Sequence, residues 1–300
     1  MKLRDTILAL FIIIVWGVNF TVIKFGVDGI PPLLLVALRF TFAAFPALLF
    51  IKPPQIPWQY VAAYGLTVGV GQFACLFYAI FIGMPAGVAS VVLQAQAFFT
   101  IFLAALCCGE RIKPKQFVGL ALAFFGLVCI SGKLVGSDVS VIPFNAFLIT
   151  ICGAFFWASS NIVVQKAAVR AITDKKKLDV LSLVIWSSLV PPIPMLIMSV
   201  WLETPAVIVP ALLHISGLTI FSIAYLSFVA TLFGYGMWSK LLAKYPAQKI
   251  APLSLLIPIV GIITAWLILG EQLNFWQWSG SALIIIGLMV SNLNISRRKA

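Results

Sequence analysis

The chain has 300 residues, 62% of them apolar and 9% charged, with a mean hydropathy of +1.13 and a formal net charge of +12. Soluble domains are roughly half apolar and about a quarter charged, so this composition excludes a folded soluble domain and leaves no room for a long disordered tail. The positive charge is no nucleic-acid signature, because nearly all of it falls on one side of the helices predicted below.

A bilayer crossing takes about 20 largely apolar residues. Such stretches lie at 6–27, 33–51, 58–81, 86–107, 115–132, 144–165, 179–201, 216–239, 247–269 and 275–294, which predicts an all-α polytopic membrane protein with ten transmembrane helices. The first stretch has the basic start and apolar run of a secretory leader. It is too long for one, contains Asn19 and lacks a small-x-small cleavage site, so it reads as a retained helix. Trp16 and Asn19 share one of its faces, and Lys24 lies toward its outer end. The second helix carries Arg39 and the third Tyr78. In the fourth, Gln94 and Gln96 are two apart and point to different faces. Gly119 and Gly126 in the fifth are seven apart and share a face, as do Trp157 and Asn161 in the sixth. Pro191, Pro192 and Pro194 should kink or unwind the seventh helix, and Pro252 and Pro258 the ninth. Ser227, Thr231, Tyr235 and Trp238 form a single polar stripe on the eighth. The pairs Gly65-x3-Gly69, Gly83-x3-Gly87 and Ala230-x3-Gly234 are expected to let helix backbones approach. The five cysteines all lie inside spans without metal-like spacing and read as packing residues.

Of the 20 lysines and arginines, 17 fall at helix ends or loops on one side of this ten-helix arrangement. Lys133 alone lies in a loop opposite, and Lys24 and Arg39 lie within spans. The positive-inside bias therefore places both termini in the cytoplasm.

The sequence is also doubled. Asn19 and Lys24 recur as Asn161 and Lys166 at an offset of 142. At an offset of 161, Pro85 matches Pro246, Gly109-Glu110 matches Gly270-Glu271, Gln116 matches Gln277, and Gly119 and Gly126 match Gly280 and Gly287. The second copy thus carries 19 extra residues, expected around the basic loop at Lys175. Two repeats, 1–137 and 138–300, each contribute five crossings, and an odd number makes them antiparallel. Arg111, Lys113 and Lys115 become Gln272, Asn274 and Trp276 in the second copy, as expected when one loop is cytoplasmic and its counterpart external.

Trp16-Gly17-Val18-Asn19-Phe20, Arg39-Phe40, Met84-Pro85-Ala86-Gly87 and Gly109-Glu110-Arg111, with Pro246 and Gly270-Glu271, resemble the EamA-type branch of the drug/metabolite transporter superfamily. Leu93-Gln94-Ala95-Gln96-Ala97-Phe98-Phe99-Thr100 and Ala251-Pro252-Leu253-Ser254-Leu255-Leu256 are similar to its bacterial cysteine and O-acetylserine exporters. The resemblance covers nearly the whole chain. It implies a carrier in the bacterial inner membrane with a central cavity between two halves, exporting small amino-acid metabolites by alternating access. Aromatic amino acids, nucleotide sugars and lipophilic drugs are the alternative cargoes, and an integral membrane enzyme is the alternative class.

Polar groups in lipid need a partner or a purpose. The candidate substrate-binding residues are Trp16, Asn19, Arg39, Tyr78, Gln94, Trp157, Asn161, Trp186, Thr231 and Tyr235; Lys24, Glu110 and Glu271 are candidates for gating or coupling. Each has a competing structural reading. Asn19 and Asn161 can clamp helices, Lys24 can snorkel to the headgroups, the helix-eight hydroxyls can bond their own backbone, and Glu110 and Glu271 can be solvated helix-end carboxylates. None of the eight acids is predicted in mid-membrane, which disfavours antiport of lipophilic cations. With one histidine, His214, and no P-loop, the sequence implies no metal, cofactor or direct ATP drive. The expected partners are the lipid bilayer and a small-molecule substrate, with no nucleic acid. Monomer and homodimer are both compatible with the sequence.

Overall fold

The computed structural model describes residues 1–131, 142–245 and 250–292, with backbone only at 251, 252 and 292. Among these residues there is no strand. The apolar helices are α1 (Leu3–Gly29), α2 (Pro32–Leu49), α3 (Trp58–Phe81), α4 (Ala86–Cys108), α5 (Pro114–Ile130), α6 (Phe144–Thr173), α7 (Val180–Leu202), α8 (Gly217–Lys244), α9 (Leu253–Leu269) and α10 (Phe275–Ser291). Seven are long and apolar enough to cross a membrane, and α5, α9 and α10 are shorter. The protein is a multi-pass helical membrane protein. The expected boundary between repeats, Lys133, the echo of Pro85 at Pro246, and Arg297 and Arg298 lie outside the described residues.

The expected insertion site needs correction. The starts of α2 and α7, Pro32 and Val180, are already 148 apart, and those of α3 and α8, Trp58 and Gly217, are 159 apart. Six of the 19 extra residues therefore precede α7, eleven more lie between the starts of α7 and α8, and the last two lie beyond the start of α8. Some lie in the basic loop, some in the broken middle of α7, and some in a short helix, Pro205–Leu213, that no sequence signal announced. Gly83-x3-Gly87 also departs from expectation. Gly83 sits in a turn at φ +106°, before α4 has begun, so the two glycines do not share a helix face.

The irregular segments come in matched pairs. α3 is π-helical over Gly65–Gln72 and α8 over Tyr225–Phe233, equivalent positions in the two copies. α4 tightens to a 3-10 turn at Leu93–Ala95, and the 3-10 stretch Ala251–Leu256 leads into α9 at the equivalent place. Both α4 and α9 end on a glycine in the left-handed region, Gly109 at φ +69° and Gly270 at φ +67°, which only glycine adopts without strain. α7 is interrupted between Ser187 and Pro192, where the prolines cannot donate to the helix ladder.

The closest packing runs between the halves. α5 lies along α10, α1 on α9, α4 on α6 and on α9, and α2 on α7. Exchanging α1 with α6 and α4 with α9 maps this set onto itself, so the two halves pack in equivalent ways. α5 and α10 touch through peptide groups. A Cβ added at Gly126 would stand 2.6 Å from the carbonyl of Gly280, and one at Gly119 would stand 2.5 Å from that of Gly287.

Candidate functional site

At mid-chain of four helices a small cavity opens, lined by Arg39 and Phe40 of α2, Tyr64 and Phe73 of α3, Ser187 of α7, and Thr231 and Tyr235 of α8. Its free volume is about 10 Å³, at the threshold for one water. The π-helical stretches form two of its walls. In α8 Thr231 Oγ1 donates to the Leu226 carbonyl, five residues back across the widened turn, at 2.8 Å. The same Thr231 oxygen accepts from Arg39 Nη2 at 3.2 Å, and Ser227 Oγ donates to the Arg39 carbonyl at 2.9 Å.

Arg39 dominates this cavity. It is 2% exposed, and its Nε and Nη1 have no hydrogen-bond partner. Among the described residues its charge meets no carboxylate; the ion pairs are Lys24 with Asp28, Arg170 with Asp174, and Lys244 with Asp5. It is held instead by ring faces. The guanidinium carbon lies 4.0 Å from the Phe73 ring centre, with Phe40 and Phe77 at 5.7 and 5.8 Å. Such contacts stabilise a desolvated cation by about 2 kcal/mol and leave its N–H edge available.

The other predicted residues are distributed as follows. Trp16 Nε1 donates to the Ala230 carbonyl at 3.0 Å, and its ring packs on Tyr235 and Trp238 at 5.3 and 5.2 Å. Trp16 thus joins α1 to the wall of the cavity. Asn19 is 7% exposed and its Oδ1 is buried without a partner. Its repeat counterpart differs: Asn161 Nδ2 donates to Gln96 Oε1 at 2.8 Å and to Thr100 Oγ1 at 3.0 Å, clamping α6 on α4. Gln94 is buried in the 3-10 turn of α4, and Trp157 packs half-buried against the core. Trp186 Nε1 donates to the Ile51 carbonyl at 3.0 Å and meets Trp58 edge-on, below the cavity. Tyr78 is 38% exposed on the outside of α3, against Phe81.

The three charged candidates sit at the two rims. Lys24 pairs with Asp28 at 2.6 Å, both partly exposed. Glu271 accepts from the amides of Ala86 at 2.7 Å and Gly87 at 2.9 Å, so a loop of the second half caps the first turn of α4. Burial pushes its carboxyl above the usual glutamate range, opposed by those two amides and by the charge of Lys24. Glu110, its repeat counterpart, is exposed and accepts a short hydrogen bond from Gln165 Nε2.

Comparison with known proteins agrees with this architecture. The chain matches the EamA-like transporter family over residues 5–132 and again over 144–293. It belongs to that family. A "Probable amino-acid metabolite efflux pump" of Escherichia coli (strain K12) is 46% identical over 301 residues, covering 100% of this chain and 98% of the relative. A protein of the same description from Salmonella typhimurium (strain LT2) is 46% identical, over 97% of this chain and 95% of its own length. An "Uncharacterized transporter" of Archaeoglobus fulgidus is 27% identical over 92% of this chain. A crystal structure at 16% identity superposes over 100% of this chain with a TM-score of 0.64, which supports the fold alone. The protein is accordingly an EamA-family membrane transporter.

Sequence reasoning named three residues of this transporter's cavity, Arg39, Thr231 and Tyr235, and missed Tyr64, Phe73 and Ser187. One signal was present. Gly65 and Gly69, singled out as a packing pair, do bring α3 against the break in α7: a Cβ on either would collide with Val190 or Pro191. Tyr64 is the residue before that pair and Ser187 the last residue before that break.

Proposed function

We propose that the chain is a secondary carrier exporting small amino-acid metabolites of the cysteine and O-acetylserine kind, with Arg39 receiving the substrate carboxylate. The observation that carries this reading is a buried guanidinium with two unpartnered nitrogens facing a cavity between the halves. A desolvated cation without a counter-ion is expensive in lipid and marks an anion's place. Nε lies on the Nε/Nη2 edge of the planar fork and Nη1 on the Nη1/Nη2 edge, so each edge offers a carboxylate one unpartnered nitrogen beside Nη2, which also donates to Thr231. The same charge repels lipophilic cations, which sets multidrug cation antiport aside. The names of the Escherichia and Salmonella relatives support the cargo class.

In this reading ten helices cross the inner membrane with both termini cytoplasmic, as the basic loops favour. Residues 1–137 and 138–300 are two five-helix repeats that rock about the central site. The cavity holds one water at most, so the described conformation is occluded and must widen to admit substrate. Asn19, whose buried Oδ1 lacks a donor, offers a partner for the substrate ammonium group. The chemistry is binding and translocation, with no bond made or broken.

Proteoliposome uptake tests the reading. Radiolabelled O-acetylserine and cysteine should move saturably and a hydrophobic cation should not. Arg39→Gln should lower uptake at least tenfold, the loss expected from about 1.5–3 kcal/mol for a hydrogen bond to a charged group, while Arg39→Lys should restore part of it. Cation movement alone, or undiminished amino-acid movement by Arg39→Gln, overturns the reading.

A further inference from the structure

A second cavity lies away from Arg39 and is larger than that one. Where α4 ends and α5 begins, a cleft of about 270 Å³ is lined by Thr100, Ala104, Glu110, Arg111, Gln116 and Gln165. It lies on the face that the basic loops assign to the cytoplasm. Thr100 stands eight residues before the end of α4, so the cleft reaches about 12 Å along the helix.

Its two charges are held apart. Gln165 Nε2 fixes the Glu110 carboxylate, while Gln165 Oε1 accepts from the Cys108 thiol at 3.6 Å. Arg111 lines the same cleft, and none of the ion pairs among the described residues joins it to Glu110. The backbone adds to both signs. Glu110 follows the carbonyl end of α4, which favours a cation, and Arg111 precedes the amide end of α5, which favours an anion. Opposite charges that share a cavity without neutralising each other leave room for a ligand that carries both. Behind them the polar line continues inward. Thr100 Oγ1 and Gln96 Oε1 both accept from Asn161, extending a hydrophilic seam between α4 and α6 toward mid-membrane.

We propose that this cleft is a second, entry-side binding site for zwitterionic amino-acid metabolites, with Glu110 holding the ammonium group and Arg111 the carboxylate. The choice of ligand rests on the carrier reading above; the site itself rests on its own geometry. It raises the local concentration of cargo at the cytoplasmic mouth and selects for both charged groups before the carboxylate reaches Arg39.

Cys108 is exposed beside the cleft and reports on its occupancy. The experiment follows maleimide alkylation of Cys108 in the full-length protein by peptide mass spectrometry. O-acetylserine should slow labelling at least fivefold. N,O-diacetylserine, which lacks the ammonium group, and ethanolamine, which lacks the carboxylate, should not. Protection should vanish in Glu110→Gln and Arg111→Gln and persist in Arg39→Gln. Absence of protection overturns the proposal, as does its loss in Arg39→Gln, which would trace it to the central cavity. Protection in nanodiscs by phosphatidylethanolamine in place of O-acetylserine also overturns it, assigning the cleft to a lipid headgroup. Undiminished transport by Arg39→Gln with Cys108 still protected removes the carboxylate role of Arg39 and leaves this site standing.

Discussion

Asn19 and Asn161 occupy equivalent places in the two copies, yet their surroundings have diverged. Asn161 makes two interhelical hydrogen bonds, whereas Asn19 keeps a buried oxygen without a donor. Asn161→Ala should therefore lower thermal stability by about 1–2 kcal/mol, the range found for polar contacts between membrane helices, with transport by the surviving protein little changed. Asn19→Ala should do the reverse, leaving the melting temperature within a degree or two and reducing uptake. Melting curves in detergent alongside proteoliposome assays separate the two. Glu271 gives a pH test. Its carboxyl is raised above the ordinary 4.5, so the folded protein holds a proton there that the unfolded chain releases. The stabilisation tied to that proton is complete below pH 4.5 and is lost as pH rises through the folded value. Glu271→Gln should flatten this fall when melting is followed upward from pH 4.5.

At the level of helices, the positions of the spans were legible because twenty apolar residues in a row have few alternative readings. Prolines likewise announced the break in α7. The interior faces were far less legible. In lipid both sides of a helix are apolar, so Tyr64 and Phe73 stand in the cavity wall with no polar contrast to mark them. The π-helical stretches compound this, since an extra residue per turn rotates every side chain beyond it. Phe73 and Phe77 face Arg39 only because α3 has been re-registered over Gly65–Gln72. Deleting Val70 removes the residue that the wide turns absorb, so the ordinary period should return with Phe73 and Phe77 still facing Arg39. Uptake should then persist; its loss in protein that still inserts and purifies would show that the wide turns serve the cavity by their own shape. Trp186 and Tyr78 illustrate the opposite difficulty. An indole or phenol inside an apolar run suggests a site, yet one secures the end of α2 and the other lies on the outer surface of α3.

For the molecule as a whole, the repeat echoes predicted two equivalent halves, and the matched glycines predicted a contact between helices. What no sequence pattern conveyed is how little of each half's packing is internal. The α5–α10 seam is the sharpest case, because its contacts are peptide groups that cannot yield. Gly126→Val would push a side chain onto the Gly280 carbonyl, 2.6 Å from where a Cβ would stand. The substitution should destabilise the protein by about 1–3 kcal/mol or more, seen as a lowered melting temperature and reduced yield, whereas the same change at the open Gly217 should not.

The reliance of α1 on α9, α4 on α6 and α5 on α10 has a bearing on how the chain is made. When the ribosome has delivered the first five helices, their mating surfaces have nothing to meet. At about 5–20 residues per second, the remaining helices follow on the order of ten to thirty seconds later. Throughout that interval the nascent chain presents small-residue grooves and an uncapped α4 to the lipid and the insertion machinery. Biogenesis, more than the finished structure, is where this architecture is most exposed to failure.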